Sequence, residues 1–305
     1  MKRRTFLRAL LGTGFLGMMP DIQAFPSASP QVLGGGRVVF LSDLHIHAED
    51  YQIGHLQKIV HQLLSMNPLP EHVVCLGDLA HLTGQIADYE SLKPLLEPLQ
   101  QAGIQLTLAM GNHDRREEFA QVFPEQAAQS CLKDRYTYKI SLPEVDILVL
   151  DSLNQGDDKT TWITPGILDE EQKNWLQQEL NGRQKPVLVC AHHPIHELGI
   201  ESMLVSCPQC CGYIHGHDHR WRPDWSILNY KTPLVMRRLC LPSAAFWGDI
   251  GYCVMHILPD KLTVELHQDD FFFPEPLPEN QEVPVQWKMI VEDHQGQTCS
   301  FKLRK

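Results

Sequence analysis

The 305-residue chain predicts an α/β fold. Three observations carry that reading. Six short apolar runs each end abruptly in polar residues, the runs are rich in Val, Leu and Ile, and helical stretches lie between them. Runs of that length and composition are strands buried on both faces. Strand and helix in alternation build a largely parallel sheet.

The N-terminus stands apart from this pattern. Lys2, Arg3, Arg4 and Arg8 form a basic segment, Ala9 to Met19 a short apolar one, and Ala24 offers a cleavage point. RRTFLR resembles a twin-arginine export signal, in which an Arg pair precedes Phe-Leu. An ordinary secretion signal with an incidental Arg pair is the alternative. Residues 1–24 are read as this signal and 25–36, rich in Pro, Ser and Gly, as a linker. The expected location is periplasmic or extracellular, with the twin-arginine machinery as a partner. No apolar run reaches the ~18 residues of a membrane span, so none is expected in the mature form.

The strands follow in order. RVVFL leads into SDLH, HVVCL into GDLA, IQLTLAM into GNHD, DILVL into DSLN, PVLVC into AHHP, and CGYI into HGHDH. Ile53, Leu56, Ile59, Val60 and Leu63 share one face of a helix. Residues 169–181 form another, opened by Asp169 and Gln172 at capping-box spacing, with Trp175, Leu176 and Leu180 inward. LVMRRLCL, GYCVMHIL and KLTVELH lack long helices between them, so antiparallel strands are expected to add to or face the first sheet. Pro259-Asp260 marks a turn between the last two. The domain is placed at 37–270. Residues 271–305 are read as a Pro-rich arm with a C-terminal hairpin around Gln295-Gly296.

Apolar residues at 43% and charged residues at 21% are ordinary globular values. The formal net charge is −11, and removing residues 1–24 takes away four basic and one acidic side chain, leaving −14. So acidic a body is no platform for nucleic acid or an anionic membrane surface. An anionic substrate would need a local cation to attract it. The nine cysteines include CPQCC at 207–211. With no second CxxC, these read as loop and strand residues, one disulfide or half a zinc site.

The polar clusters after the strands hold Asp43, His45, Asp78, Asn112, His113, His192, His217 and His219. Functional groups of open α/β sheets gather beyond the carboxyl ends of the strands. Carboxylates, an amide and imidazoles suit borderline divalent metals such as Mn, Fe or Zn. Their number exceeds what one four-coordinate ion needs and suits two ions with a shared carboxylate. Paired ions favour displacement at phosphorus.

Asp43-Leu-His45, Gly77-Asp78, Gly111-Asn112-His113-Asp114, His192 and Gly216-His217-Asp218-His219 occur in that order. Together they resemble the five-block pattern of the calcineurin-like metallophosphoesterases, over roughly residues 37–258. GNHDRREEFAQVFP and PGILDEEQKNWLQQEL resemble the class III cyclic nucleotide phosphodiesterase branch. The resemblance implies two facing mixed β-sheets flanked by helices. It implies that Asp43, His45, Asp78 and His219 hold one metal. Asp78, Asn112, His192 and His217 would hold the second, with Asp78 bridging. His113 would be the general acid, oriented by Asp114. Gly111 and Gly216 would allow tight turns. The implied cofactors are two divalent or mixed-valence ions.

The expected function is hydrolysis of small phosphate esters by hydroxide held between the ions, diesters first. Two divalent ions against Asp43, Asp78 and one hydroxide leave a single positive charge, which matches a monoanionic diester. Monoester or nucleotide phosphatase activity is the alternative, and a non-catalytic binding protein on this fold the third reading. His47 and His196 either touch substrate or are solvated loop residues. His193 is read as a neighbour of its ligand. Arg115 and Arg116 either clamp phosphate or start a helix at the surface. Trp221, Trp225 and Trp247 either wall a pocket or pack. Asp218 and His215 are bystanders.

Overall fold

The computed structural model describes residues 36–48, 51–227, 235–272 and 294–303. The expected export signal, nearly all of the linker and residues 273–293 of the expected arm at 271–305 lie outside the described residues. Among the described residues, no helix is long and apolar enough to cross a membrane.

Among the described residues, twelve strands form two six-stranded mixed sheets. The first contains β1 (Arg37–Leu41), β2 (His72–Cys75), β3 (Gln105–Leu108), β10 (Gly248–Ile257), β11 (Lys261–Phe272) and β12 (Thr298–Lys302), in the order β12-β11-β10-β1-β2-β3. β1, β2 and β3 are parallel, and β10, β11 and β12 extend them antiparallel. The second contains β4 (Tyr138–Ser141), β5 (Asp146–Val149), β6 (Val187–Cys190), β7 (Cys210–His215), β8 (Arg222–Ile227) and β9 (Val235–Cys240), in the order β4-β5-β6-β7-β9-β8. Its four inner strands are parallel, with antiparallel edges. The strand-rich C-terminal part thus adds to both sheets. A turn at Gln295 and Gly296 precedes β12, which pairs with β11.

Side-chain alternation assigns the two faces of the second sheet. Ile147, Val149, Leu188, Cys190 and Ile214 join Val38, Phe40, Val74 and Leu108 of the first sheet in one core. Leu148, Val187, Val189 and Tyr213 point the other way. They meet Leu176 and Leu180 of α5 (Glu170–Leu180), with α6 (Ile195–Leu198) and α7 (Glu201–Ser206) beside it. The sheets therefore face each other, with helices outside. On the first sheet lie α1 (Tyr51–Leu64), which buries Leu56, Ile59, Val60 and Leu63, and α2 (Ile86–Gln101).

Two helices illustrate local logic. At α5, Asp169 accepts a hydrogen bond from the Gln172 backbone N–H at 2.9 Å. The Gln172 side chain does not close the box. It bonds both backbone groups of Asp151 instead, tying helix to strand end. α2 runs through Pro94 and Pro98, each of which removes a backbone donor. The two prolines lie off the face formed by Tyr89, Leu92, Leu96 and Leu99, which buries against the core. None of the nine cysteines is in a disulfide, those of CPQCC included; Cys207, Cys210 and Cys211 are buried and donate to backbone carbonyls.

Candidate metal centre

Parallel strands end on one side, and that is where the ligand-type residues meet. Asp43 and His45 follow β1, Asp78 follows β2, and Asn112 follows β3. His192 follows β6, and His217 and His219 follow β7. The loops after β1 and β2 continue to pair beyond the strands: His45 N–H donates to the Asp78 carbonyl at 2.8 Å and Ile46 N–H to the Leu79 carbonyl at 3.0 Å.

These loops are wound against ordinary preference. Among the described residues, six non-glycine residues have positive φ. Five are Asp43 (54°), His45 (45°), Asp78 (49°), His217 (71°) and His219 (51°). The sixth is Leu82 at 39°. Left-handed backbone outside glycine marks sites where function holds strain.

Asp43, His45, Asp78 and His219 are all buried, and their ligand atoms lie within 4.8 Å of one another. His219 Nε2 is 3.2 Å from Asp43 Oδ1, and His45 Nε2 is 3.4 Å from Asp78 Oδ2. A second group adjoins it. His192 Nε2 stands 3.2 Å from Asp78 Oδ2 and 3.2 Å from Asn112 Oδ1. His217 Nδ1 lies 3.0 Å from the same Asn112 oxygen. Asp78 Oδ2 thus faces His45 on one side and His192 on the other. All seven expected ligands are brought together.

The surroundings fix their orientations. His192 Nδ1–H donates to the Leu76 carbonyl (2.8 Å) and His219 Nδ1–H to the Trp247 carbonyl (3.0 Å), which leaves Nε2 of each ring facing inward. Gly111 and Gly216 have negative φ, so it is not left-handed backbone that requires glycine there. They are needed for close approach: a Cβ would strike the Asp78 carboxylate at Gly111 and the Ser42 hydroxyl at Gly216.

Burial raises the Asp43 and Asp78 carboxyls, but the facing imidazoles outweigh it and hold both well below the usual range. For Asp43 the partners are His219 and His192, and for Asp78 they are His192, His113 and His45. Burial lowers His192, yet Asp78 and Asp43 outweigh it and raise it to about 10. Burial pushes His45 well down and lowers His217, so both favour the neutral form a metal requires. His45 is 2% exposed, and neither ring nitrogen has a hydrogen-bond partner. An imidazole buried without partners calls for a ligand. The donor set, the shared Asp78 and these orphaned nitrogens fit a dinuclear metal centre.

Several other expectations resolve differently. His193 adjoins the second group: its ligand atom lies within 4.8 Å of those of His192 and His217, and its Nδ1 is 2.8 Å from Ser152 Oγ. His113 belongs to neither ligand group, and its Nδ1–H donates to the Leu82 carbonyl at 2.7 Å. Asp114 does not orient that ring. Its carboxylate accepts from the backbone N–H groups of Leu79, Ala80 and Gly111 and from the Tyr89 hydroxyl, so it braces loops. Burial and the nearby Asp78 charge raise it to about 7, against those backbone donors.

Arg115 is neither a phosphate clamp nor a surface residue. It is 4% exposed, and its guanidinium donates to the carbonyls of Thr83, Gly156, Asp158 and Thr161. Arg116 forms a bidentate pair with Asp151. His47 is paired with Asp88 at 2.9 Å, and His196 is exposed. Asp218 turns away to Arg222 at 2.6 Å. Trp221 is core, while the Trp247 ring lies 4.3 Å from His219. The Trp225 side chain lies outside what the structure describes. Two aromatic neighbours escaped the sequence: Phe246, 4.4 Å from the His45 ring, and Trp162, 4.8 Å from His113. Adjacency of Phe246 to Trp247 was the one available signal.

Residues 36–221 match the family model for calcineurin-like phosphoesterase. The chain is 28% identical over 177 residues to a cAMP/cGMP dual specificity phosphodiesterase of Mycobacterium tuberculosis, across 57% of this chain and 50% of that protein. It therefore spans about half the length of that relative. It is 29% identical over 242 residues to a probable cyclic nucleotide phosphodiesterase of Rhodopseudomonas palustris, across 75% of this chain and 81% of that protein. Among solved structures, a dimetal phosphatase from Danio rerio shares the fold, with a TM-score of 0.60 at 16% identity over 76% of this chain and 95% of that one. A matching family model over more than half of the sequence, on a fold whose strand ends gather this ligand set, identifies the chain as a member of the calcineurin-like phosphoesterase family.

Proposed function

We propose that this protein is a dinuclear-metal phosphodiesterase acting on small phosphate esters. The observation that carries the proposal is the meeting of two ligand groups at one carboxylate. Asp43, His45 and His219 flank Asp78 on one side, and Asn112, His192 and His217 on the other. When bound, two Mn, Fe or Zn ions supply Lewis acidity at phosphorus and a nucleophilic water near neutral pH.

The remaining work falls to side chains. Asp78 would be shared between the ions, and its left-handed backbone aims it between the groups. His113 is held through Nδ1 by Leu82, so Nε2 is the nitrogen that carries a proton to the leaving oxygen. Leu76 and Trp247 hold the His192 and His219 rings so that substrate entry does not turn them. Diester specificity is supported by the relatives, both named as cyclic nucleotide phosphodiesterases. Export by the twin-arginine route, supported by RRTFLR, would place the activity on extracytoplasmic esters.

The test is turnover by the Mn²⁺-restored protein of bis(p-nitrophenyl) phosphate, 3′,5′-cyclic AMP and p-nitrophenyl phosphate, with metal analysis. Faster turnover of the two diesters is expected. A monoester preference would move the protein to the phosphatases. Metal binding with no turnover of any substrate would make it a binding protein.

A further inference from the structure

Large apolar side chains are exposed in few places. Among the described residues there are six: Leu69, Leu82, Ile86, Trp162, Ile163 and Ile167. Five of them fall on two segments, 82–86 and 162–167. Arg115 ties these segments together. Its buried guanidinium bonds the Thr83 carbonyl on one and the carbonyls of Gly156, Asp158 and Thr161, just before Trp162, on the other. Further anchors hold the second segment: Ile167 N–H donates to the Ser152 carbonyl (3.1 Å), and Gly166 N–H to Glu197 Oε2 (2.8 Å).

Both segments converge on His113. Leu82 gives its carbonyl to the His113 ring, and the Trp162 indole lies 4.8 Å from that ring at 41°. A small cleft runs between them, lined by Thr83, Asn112, His113 and Trp162. One part of the indole rests on His113, yet Trp162 remains 43% exposed. A large aromatic face left open beside a polar cleft is a surface on which a ligand can dock. Here it stands on the side from which a proton reaches the leaving oxygen.

The geometry points to Trp162 as a specificity-determining wall that stacks an aromatic group carried by the leaving alcohol of a phosphodiester. The inference rests on the reading of His113 as the proton donor, because that fixes which side of the phosphorus the wall borders. Arg115 is the positioning residue, acting through the four carbonyls it holds. A flat aromatic leaving group would cover the open part of the indole. An apolar contact of this size is worth about tenfold in selectivity.

The probe is a pair of diesters matched in leaving-group chemistry, dibenzyl phosphate and diethyl phosphate, assayed with the full chain and Mn²⁺. Benzylphosphonate and ethylphosphonate serve as non-hydrolysed binding ligands. Wild type is expected to favour benzyl over ethyl by about tenfold in kcat/KM and in Kd. Trp162→Ala is expected to bring both ratios close to one, mainly through KM. Trp162→Phe should keep most of the preference, and Leu69→Ala, at an exposed apolar residue away from His113, should keep all of it. An unchanged ratio in Trp162→Ala, or an equal loss on both diesters, would overturn the wall. If wild type turns over neither these diesters nor bis(p-nitrophenyl) phosphate and 3′,5′-cyclic AMP, but Trp162 still sets the phosphonate ratio, the wall stands and the diesterase reading fails.

Discussion

His113 Nδ1 sits 2.7 Å from the carbonyl oxygen of Leu82, a residue whose own φ is +39°. A backbone carbonyl, not the adjacent carboxylate of Asp114, therefore sets the imidazole. The opposite nitrogen is left to meet substrate. Replacing His113 by Ala is expected to lower kcat on diesters with alkoxide leaving groups by about a hundredfold or more. The loss should be much smaller on p-nitrophenyl esters, whose leaving group departs without a proton. Equal losses on both classes would remove His113 from proton transfer.

Asp114 offers a separable test, because its four donors are all structural. Asp114→Ala would leave three backbone N–H groups and the Tyr89 hydroxyl buried without their acceptor. The expected cost is about 1–3 kcal/mol for each donor left unsatisfied, read as a large fall in Tm. Asp114→Asn retains one acceptor oxygen and should lose less. A thermally unchanged Asp114→Ala protein with low activity would return Asp114 to a direct catalytic role.

The buried ligand set should make stability depend on metal. A ligand present at a hundred times its Kd adds about 2.7 kcal/mol. Chelation is therefore expected to lower Tm by at least about 5 °C, and Mn²⁺ to restore it. Asp78→Ala, which removes the shared carboxylate, should abolish the restoration. A Tm indifferent to chelator in metal-loaded protein would count against a high-affinity centre.

Acid sensitivity has an identifiable contributor remote from the ligands. His72, at the start of β2, has its Nε2 2.8 Å from Thr107 Oγ1, and burial lowers it from 6.5 to about 4. Between those values the unfolded chain binds a proton that the folded chain refuses. Its contribution to stability is therefore complete above pH 6.5 and is lost as pH falls toward 4. His72→Gln keeps a hydrogen-bonding group and removes the titration. Its Tm should fall less than that of wild type between pH 7 and pH 4.5, and identical falls would clear His72 of any part.

Much of this was legible in the sequence, and the exceptions have physical causes. The buried parallel strands announced themselves because both of their faces are apolar, and their ends carried every residue of the candidate centre. β4 escaped because YKIS is a four-residue edge strand, and β8 because Pro223 weakens its strand signal. α2 escaped because Pro94 and Pro98 contradict a helix locally, whereas its packing face overrides them. At the site, neighbours in sequence misled. Asp114 adjoins His113 along the chain yet serves Tyr89, Leu79 and Ala80. Trp162 reaches His113 through a loop whose shape depends on the many-partnered Arg115. No spacing rule encodes such a loop.

The left-handed ligand positions imply a tension between persistence and use. At Asp43, His45, Asp78, His217 and His219, glycine would sit more comfortably in the backbone than the residue present. Relaxation of the loops and retention of the donors thus pull in opposite directions. A lineage released from the need for metal would find conformational relief in discarding these side chains. Their joint presence in such unfavourable backbone is strain that the surrounding structure has to offset.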